Sequence, residues 1–273
     1  MARPSVKVTY EILGELTRSR DRKLHFEFLY DSTELGICTC FGDPHCYRFD
    51  DDKTNQEHQL FINDSCSYTM VTDSCAFERT DFGAELPLPK FHITVVFERV
   101  SLLLQRSFAK EIHITSRLTS NTESYQLKQG LEVIHNTRPL NMADAPFKFE
   151  GSSLAVVQTT AQSPNNWKEQ GDLLEVTFTN GFKILWDGVR QFKIIAPEKP
   201  DFNICGLCGN NDGVRPDTKT GTHNNHHESR CTTKLVSQDF QTELMEDEVQ
   251  TLVNSWFAET ISSDDACKDN IRC

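Results

Sequence analysis

Two short cysteine-containing turns, far apart in the sequence, constrain the fold more than any other feature. Residues 205–213 read CGLCGNNDG, and residues 42–50 read GDPHCYRFD, with Cys38 four residues before the second stretch. In a secreted chain, cysteines beside tight turns at both ends of a long segment indicate that the two ends are joined covalently. Acidic residues occur in both turns, which indicates a cation shared between them.

The cysteine count and the net charge restrict the compartment and the partners. Ten cysteines, an even number, favour disulfides and an oxidising compartment. The alternative is zinc bound by C-x-C at Cys38 and Cys40 and by C-x-x-C at Cys205 and Cys208. It is less favoured because finger-type zinc sites keep their ligand pairs closer in sequence. A net charge of −12 without a basic patch argues against a nucleic-acid partner.

Hydropathy indicates a chain that does not insert into a membrane. The sequence lacks the uninterrupted apolar run of about 18 residues that a spanning helix requires. Residues 1–10 also lack the apolar core of a signal peptide. A disulfide-rich sequence without that signal is expected to be a fragment of a longer secreted or ectodomain chain.

The pattern of apolar residues predicts an all-β protein. Residues 1–37 alternate in polarity and are typical of strands, either of an N-terminal extension or of the end of a preceding module. Further strands are predicted over residues 91–97, 100–104, 111–115 and 154–159. In residues 173–195, Asn180-Gly181 and Asp187-Gly188 predict two-residue turns within a three-strand meander that has one apolar face. Strands at this spacing predict an antiparallel β-sandwich.

The last fifty residues have a different character. Residues 217–230 are almost free of apolar side chains and predict a polar linker. Residues 238–257 have apolar side chains at helical spacing, which predicts a short amphipathic C-terminal helix. Residues 223–273 are therefore interpreted as a linker, a helix and a cysteine-containing tail.

Several motifs in the same order resemble the von Willebrand factor type D module. The resemblance covers about residues 38–267 and implies that residues 38–222 form the type D domain. Two departures are Asp51, where the family usually has glycine, and the additional pair Cys40 and Cys46. The matching residues are Cys38, GDPH at 42–45, Phe49-Asp50, Cys66-Ser67-Tyr68, Cys75, CGLCGN at 205–210 and Asn254-Ser255-Trp256.

The resemblance also implies a disulfide pattern. A thiol–disulfide exchange role for C-x-x-C is the alternative, and it is disfavoured because no thioredoxin-like βαβ pattern surrounds the motif. Sequence alone leaves the connectivity of the remaining cysteines open. The implied pairs are Cys38–Cys208, Cys75–Cys205 and Cys66 with Cys267, and the pairs that would complete five are Cys40–Cys46 and Cys231–Cys273.

A calcium site is the cofactor prediction that follows from the resemblance. The family's ligands match Asp50, Asn210 and Asp212, with a further side chain at Asp217 and a backbone carbonyl at Asn211. Calcium takes six to eight oxygen ligands from carboxylates, amides and carbonyls, which this turn supplies. Asp51 and Asp52 are expected to add negative charge nearby. The alternative is a solvated turn that holds no ion.

Three further sites are candidates. Some type D modules cleave themselves at the Asp-Pro bond of GDPH. The resemblance therefore makes Asp43 and Pro44 a candidate self-cleavage site, with His45 as the proton shuttle. The favoured interpretation is a simple turn in which Pro44 fixes the backbone. Asn63, in Asn63-Asp64-Ser65, is a candidate glycosylation site. The histidine-rich residues 223–231 are metal-capable in residue type, but their spacing defines no site.

The function predicted is that of a non-enzymatic structural and interaction module in a larger secreted or matrix glycoprotein. Its expected partners are extracellular proteins or neighbouring modules of the same chain. Two alternatives come from the resemblance. Vitellogenin-like yolk lipid-transport proteins carry a type D module near their C-terminus, and ostracod luciferases contain two. Hydrolase and nucleotide-binding motifs are absent from the sequence.

Overall fold

The computed structural model describes residues 36–42, 45–51, 60–62, 65–75, 88–101, 106–159, 171–198 and 200–213, together with Val253, Trp256 and Ala258. The described residues form a β-sandwich of two antiparallel sheets, which confirms the predicted fold class. Two short 3-10 helices, Gln129–Leu131 and Met142–Asp144, lie in loops. The strands predicted within residues 1–35 lie outside the described residues.

The first sheet has eight strands, and residues from both ends of the domain meet within it. Its order is β10-β11-β12-β13-β14-β1-β2-β3, so β1 lies beside β14 although the two are far apart in sequence. The strands are β1 (Ile37–Phe41), β2 (His45–Tyr47), β3 (Leu60–Phe61), β10 (Phe147–Lys148), β11 (Ser152–Thr159), β12 (Gly171–Phe178), β13 (Lys183–Trp186) and β14 (Phe192–Ile195).

The second sheet has six strands in simple sequential order, β4-β5-β6-β7-β8-β9. Val100 and Ser101 continue β5, so they do not begin the separate strand predicted over 100–104. The strands are β4 (Ser67–Thr72), β5 (Phe91–Ser101), β6 (Arg106–Ser116), β7 (Glu123–Lys128), β8 (Val133–His135) and β9 (Arg138–Leu140).

The meander of β12, β13 and β14 has the predicted apolar face but not the predicted turns. The first turn is a three-residue loop closed by Phe178 N–H to Phe182 O at 2.8 Å, with Gly181 at φ 88°. In the second, the Asp187 carboxylate accepts hydrogen bonds from three successive N–H groups, those of residues 189–191. These side-chain and backbone bonds make each turn longer than the two residues that the sequence predicted.

The core lies between the inner faces of the two sheets. Phe91 of β5 packs across the interface on Phe178 and Phe182, with ring centroids 5.2 Å and 4.8 Å apart. Trp186 of β13 is fully buried and donates from Nε1 to Lys128 O of β7 at 2.9 Å. Contacts of this kind fix the relative position of the sheets, because an unpaired buried indole N–H would be costly.

The open edge of β4 is covered by residues from the C-terminal region. Thr69 N donates to Trp256 O at 2.8 Å, and Ala258 N donates to Ser67 O at 2.8 Å. Val253 and Trp256 are fully buried and belong to the same apolar core as the sheets. The remainder of the predicted helix lies outside the described residues, so the helix stays a prediction.

Candidate functional site

The two cysteine-containing turns meet, and disulfides join them to both sheets. Cys208 is bonded to Cys38 of β1, with Cα atoms 5.5 Å apart, and Cys205 is bonded to Cys75, which follows β4, at 5.8 Å. These are pairs that the resemblance implied. One turn therefore links the eight-stranded sheet to the end of the first strand of the six-stranded sheet.

Two other cysteines of β1 and β2 form a local bridge. Cys40 and Cys46 lie directly opposite each other in the β1–β2 ladder and are disulfide-bonded, with Cα atoms 4.1 Å apart. Cys66 is also disulfide-bonded. Its partner lies outside the described residues, so the predicted pairing with Cys267 and the predicted Cys231–Cys273 pair remain predictions.

Backbone hydrogen bonds hold the CGLC turn against β4 and against the GDPH-containing segment. Cys205 and Thr72 exchange two hydrogen bonds of 2.9 Å and 2.8 Å, and Cys208 N donates to Met70 O at 3.0 Å. A Cβ atom on Gly206 would lie 2.2 Å from Met70 O, so only glycine fits there. Across the turn, Phe49 N donates to Cys208 O at 2.9 Å, which places the next residue, Asp50, beside the closing turn.

Asp50 is a buried acidic residue at this junction. It is 6% exposed, and its Oδ1 accepts a hydrogen bond from Gly213 N at 3.0 Å. Burial raises the pKa of Asp50 to about 6; the Gly213 N–H opposes this rise, and the negative charge of Asp212 adds to it. The two acidic residues thus lie close enough to repel each other in the folded state.

Amide groups complete the predicted ligand set around Asp50. Asn210 Nδ2 donates to Asp212 Oδ2 at 2.9 Å, which leaves the Asn210 side-chain oxygen for another partner. Asn211 has a positive φ of 54°, and its Nδ2 donates to Pro197 O at 3.2 Å. Its Oδ1 is buried without a hydrogen-bond partner. Asp217 and Asp52 lie outside the described residues.

This donor set fits a hard cation such as calcium. Within the residues that the structure describes, no group of three or more His, Cys, Asp or Glu side chains could hold a metal ion. Calcium, however, also takes amide and carbonyl oxygens, and a positive charge beside Asp50 and Asp212 would remove their mutual repulsion. The residues are therefore compatible with the predicted site, which remains a prediction.

Asp51 has a role that the sequence did not reveal. Its carboxylate accepts from Arg48 N at 2.7 Å, from Arg48 Nε at 3.1 Å and from Arg48 Nη2 at 2.9 Å. The two side chains are 0% and 4% exposed, so this is a fully buried ion pair. Asp51 adds negative charge beside Asp50, as expected, and this charge contributes to the raised pKa of Asp50. The ion pair with Arg48 is the additional role. The spacing of three residues was the only sequence signal for this pair.

The other candidate sites are mostly outside the described residues. Asp43, Pro44 and Asn63 are not described, and neither are the histidines of residues 223–227. His45, which directly follows Asp43 and Pro44 in the sequence, is described. It lies in β2 and is half-buried, with its ring centroid 6.1 Å from that of Phe41. Within the described residues, no helix is long and apolar enough to cross a membrane.

Comparison with known proteins gives the family. A family model for the von Willebrand factor type D domain matches residues 38–220, more than half of the chain. The chain therefore belongs to the von Willebrand factor type D domain family, as the sequence predicted. It is also similar to human zonadhesin, with 23% identity over 188 residues, which are 67% of this chain. The chain spans only 6% of the length of that protein.

Proposed function

We propose that this chain is a non-enzymatic interaction module of a larger extracellular glycoprotein, held rigid by disulfides and by calcium. The observation that carries the proposal is the CGLC turn. Its two disulfides bind it to Cys38 in β1 of one sheet and to Cys75, which follows β4 of the other sheet. A turn tied in this way presents a fixed surface at low conformational-entropy cost to binding. Stable disulfides of this kind are typical of extracellular proteins.

The proposed partners are extracellular proteins or neighbouring modules of the same chain. The similarity to zonadhesin supports an extracellular setting. Glycosylation of Asn63, the candidate site in the sequence, is expected in the same setting. No observation on the described residues favours the vitellogenin-like or luciferase-type alternative, so neither is proposed.

A binding screen tests the module. The chain, immobilised in calcium, is expected to bind at least one member of a panel of purified extracellular domains saturably. The same chain after reduction and alkylation is expected to lose that binding, because the surface depends on the folded, disulfide-bonded state. Equal binding by the intact and the reduced chain would contradict a role for the rigid fold.

Calcium is proposed to bind at Asp50, Asn210 and Asp212, with Asn211 and Asp217 completing the site. We expect calcium to raise the melting temperature of the chain, because a ligand that binds only the folded state stabilises it by about 2.7 kcal/mol at a hundredfold excess over Kd. Asp50→Asn and Asp212→Asn should each remove the increase. Differential scanning fluorimetry in calcium and in chelator measures it.

The matched control for the calcium experiment is Asp172→Asn. Asp172 is an exposed aspartate of β12, so its substitution removes the same charge at a different place. This variant should keep the full calcium response. A response that is absent from the parent chain, or that persists in both Asp50→Asn and Asp212→Asn, would leave the turn as a solvated loop without an ion.

The Asp43–Pro44 bond is expected to stay intact in the purified chain, because the favoured interpretation of GDPH here is a turn. The measurement must use reduced protein, since a fragment of residues 1–43 would remain attached through Cys38–Cys208. Reducing gels and intact-mass spectrometry should show one full-length species. A new N-terminus at Pro44, abolished by Asp43→Ala, would instead establish self-cleavage.

A further inference from the structure

The inner face of the six-stranded sheet becomes exposed to solvent at the β8–β9 hairpin. Ile114, Tyr125, His135 and Arg138 are successive cross-strand partners from β6 to β9, so their side chains share one face of the sheet. Ile114 and Tyr125 are each 1% exposed in the core, whereas His135 is half-buried and Arg138 is exposed. The core-facing side of the sheet therefore opens to solvent at its last hairpin.

A groove of about 490 Å³ lies at this opening. This volume is within the range of small-ligand sites, which is about 300–1,000 Å³. The floor is aromatic: the His135 ring lies between Phe149 and Tyr125, with centroid distances of 3.9 Å and 4.6 Å. The groove is lined by His135, Asn136, Arg138, Leu140 and Phe149.

The groove contains hydrogen-bonding groups that the described part of the protein leaves unused. The Arg138 guanidinium has no acidic partner among the described residues, and His135 Nε2 is buried without a hydrogen-bond partner. The neighbouring Glu123 is already occupied, because it accepts hydrogen bonds from Gly151 N and Ser152 Oγ. Its carboxyl therefore serves the contact between the two sheets.

The sheet edge beside the groove is a poor site for adding another strand. Pro139 is the middle residue of β9, the edge strand of the six-stranded sheet, and it has no N–H to donate. Proline on an edge strand interrupts the ladder that a partner strand would need. Recognition at this edge must use the side chains of the groove.

We propose that this groove binds a carboxylate carried on an apolar, ring-sized group. Arg138 holds the carboxylate through two parallel N–H···O bonds, the geometry for which guanidinium is best suited. The apolar ring of the ligand lies against Phe149 and Leu140. A free aromatic acid and the C-terminal residue of a peptide share this chemistry. Burial lowers the pKa of His135, so its ring is neutral at neutral pH and adds to the apolar floor.

This inference deepens the proposed interaction function, on which it rests only in part. The groove adjoins β9, whereas the disulfide-bonded turn contacts β4 at the opposite edge of the same sheet. The calcium and disulfide experiments can therefore fail while the groove still binds its ligand. Conversely, the groove can fail to bind a ligand while calcium and the disulfides behave as proposed.

Isothermal titration calorimetry with the full chain tests the groove. N-acetyl-L-phenylalanine should bind saturably, and its amide, which lacks the carboxylate, should bind at least about tenfold more weakly, as expected for loss of a charge-assisted pair. Arg138→Gln should weaken binding of the acid by a similar factor. The matched control is Arg190→Gln, because Arg190 is likewise an exposed arginine but lies outside the groove, over the ring of Phe108.

The outcomes separate the source of the ligand as well as the proposal itself. Tighter binding of a short peptide with a C-terminal phenylalanine than of the free acid supports a peptide source, and equal binding supports a small acid. Both results support the groove. Absence of saturable binding, equal binding of acid and amide, or an affinity unaffected by Arg138→Gln would overturn it. Arg138 is exposed, so this substitution leaves the core unchanged.

Discussion

Replacement of both Cys38 and Cys208 by alanine is expected to lower the free energy of unfolding by about 4 kcal/mol. The two cysteines have a sequence separation of 170 residues, but the Cys75–Cys205 bond remains in the double variant and shortens the loop that Cys38–Cys208 closes in the unfolded chain to about 40 residues. A loss of this size is a large fraction of the stability of a typical domain. Urea denaturation of the oxidised parent chain and of the double variant measures the difference.

The Cys40–Cys46 bond provides a control within the same strand. Its cysteines are as deeply buried as Cys38, so the loss of packing is similar, but the sequence separation is only 6. The same loop-entropy relation gives about 2 kcal/mol for its removal. Equal losses from the two double variants would show that packing around the sulfur atoms, and not loop closure, determines the stabilisation.

The parts of the fold that the sequence predicted are those encoded by local patterns. Alternating apolar residues in β12, β13 and β14 were sufficient to predict the buried face of the meander, and its members Val176, Ile184 and Ile194 are all 0% exposed. The turn lengths were not predictable from Asn-Gly and Asp-Gly alone. They depend on which backbone N–H groups the Asn180 and Asp187 side chains bond, and the dipeptides alone do not specify those partners.

The parts that the sequence did not predict depend on residues brought together by the fold. Glu123 of β7 and Ser152 of β11 join the two sheets through a buried hydrogen bond, and the hydroxyl groups of Tyr125 and Ser152 are hydrogen-bonded at 2.5 Å. Burial in this cluster raises the pKa of Tyr125. Neither strand carries a pattern that marks these residues, because polar side chains at core positions are recognisable only when their partners are known.

The candidate site combines both kinds of information. The positions of Asp50 and of the CGLCGN turn came from the resemblance, and the structure shows that Phe49 N donates to Cys208 O beside them. The partner of Asp51 could not be derived from the family, since the family usually has glycine at that position. The backbone at Asp51 follows a turn closed by Asp51 N to Arg48 O at 3.4 Å, which brings the two side chains together.

Asp51→Ala is therefore expected to destabilise the chain by about 3–5 kcal/mol, the usual cost of leaving one member of a buried ion pair without the other. The Arg48 guanidinium is 4% exposed and would lose the carboxylate that accepts from its Nε and Nη2. The Arg48 N–H would lose the same acceptor. Urea denaturation in chelator measures this effect separately from any change in calcium binding.

Two comparisons identify the ion pair as the cause. Arg48→Met combined with Asp51→Leu should recover much of the loss, because removing both charges leaves neither one buried alone. Glu98→Ala breaks the pair between Glu98 and Lys110, which has a similar distance of 3.0 Å but is 53% and 41% exposed, and should cost less than about 1 kcal/mol. If Asp51→Ala cost no more than Glu98→Ala, the buried pair would contribute nothing beyond a surface contact. The aspartate would then be a neutral replacement for the family's glycine.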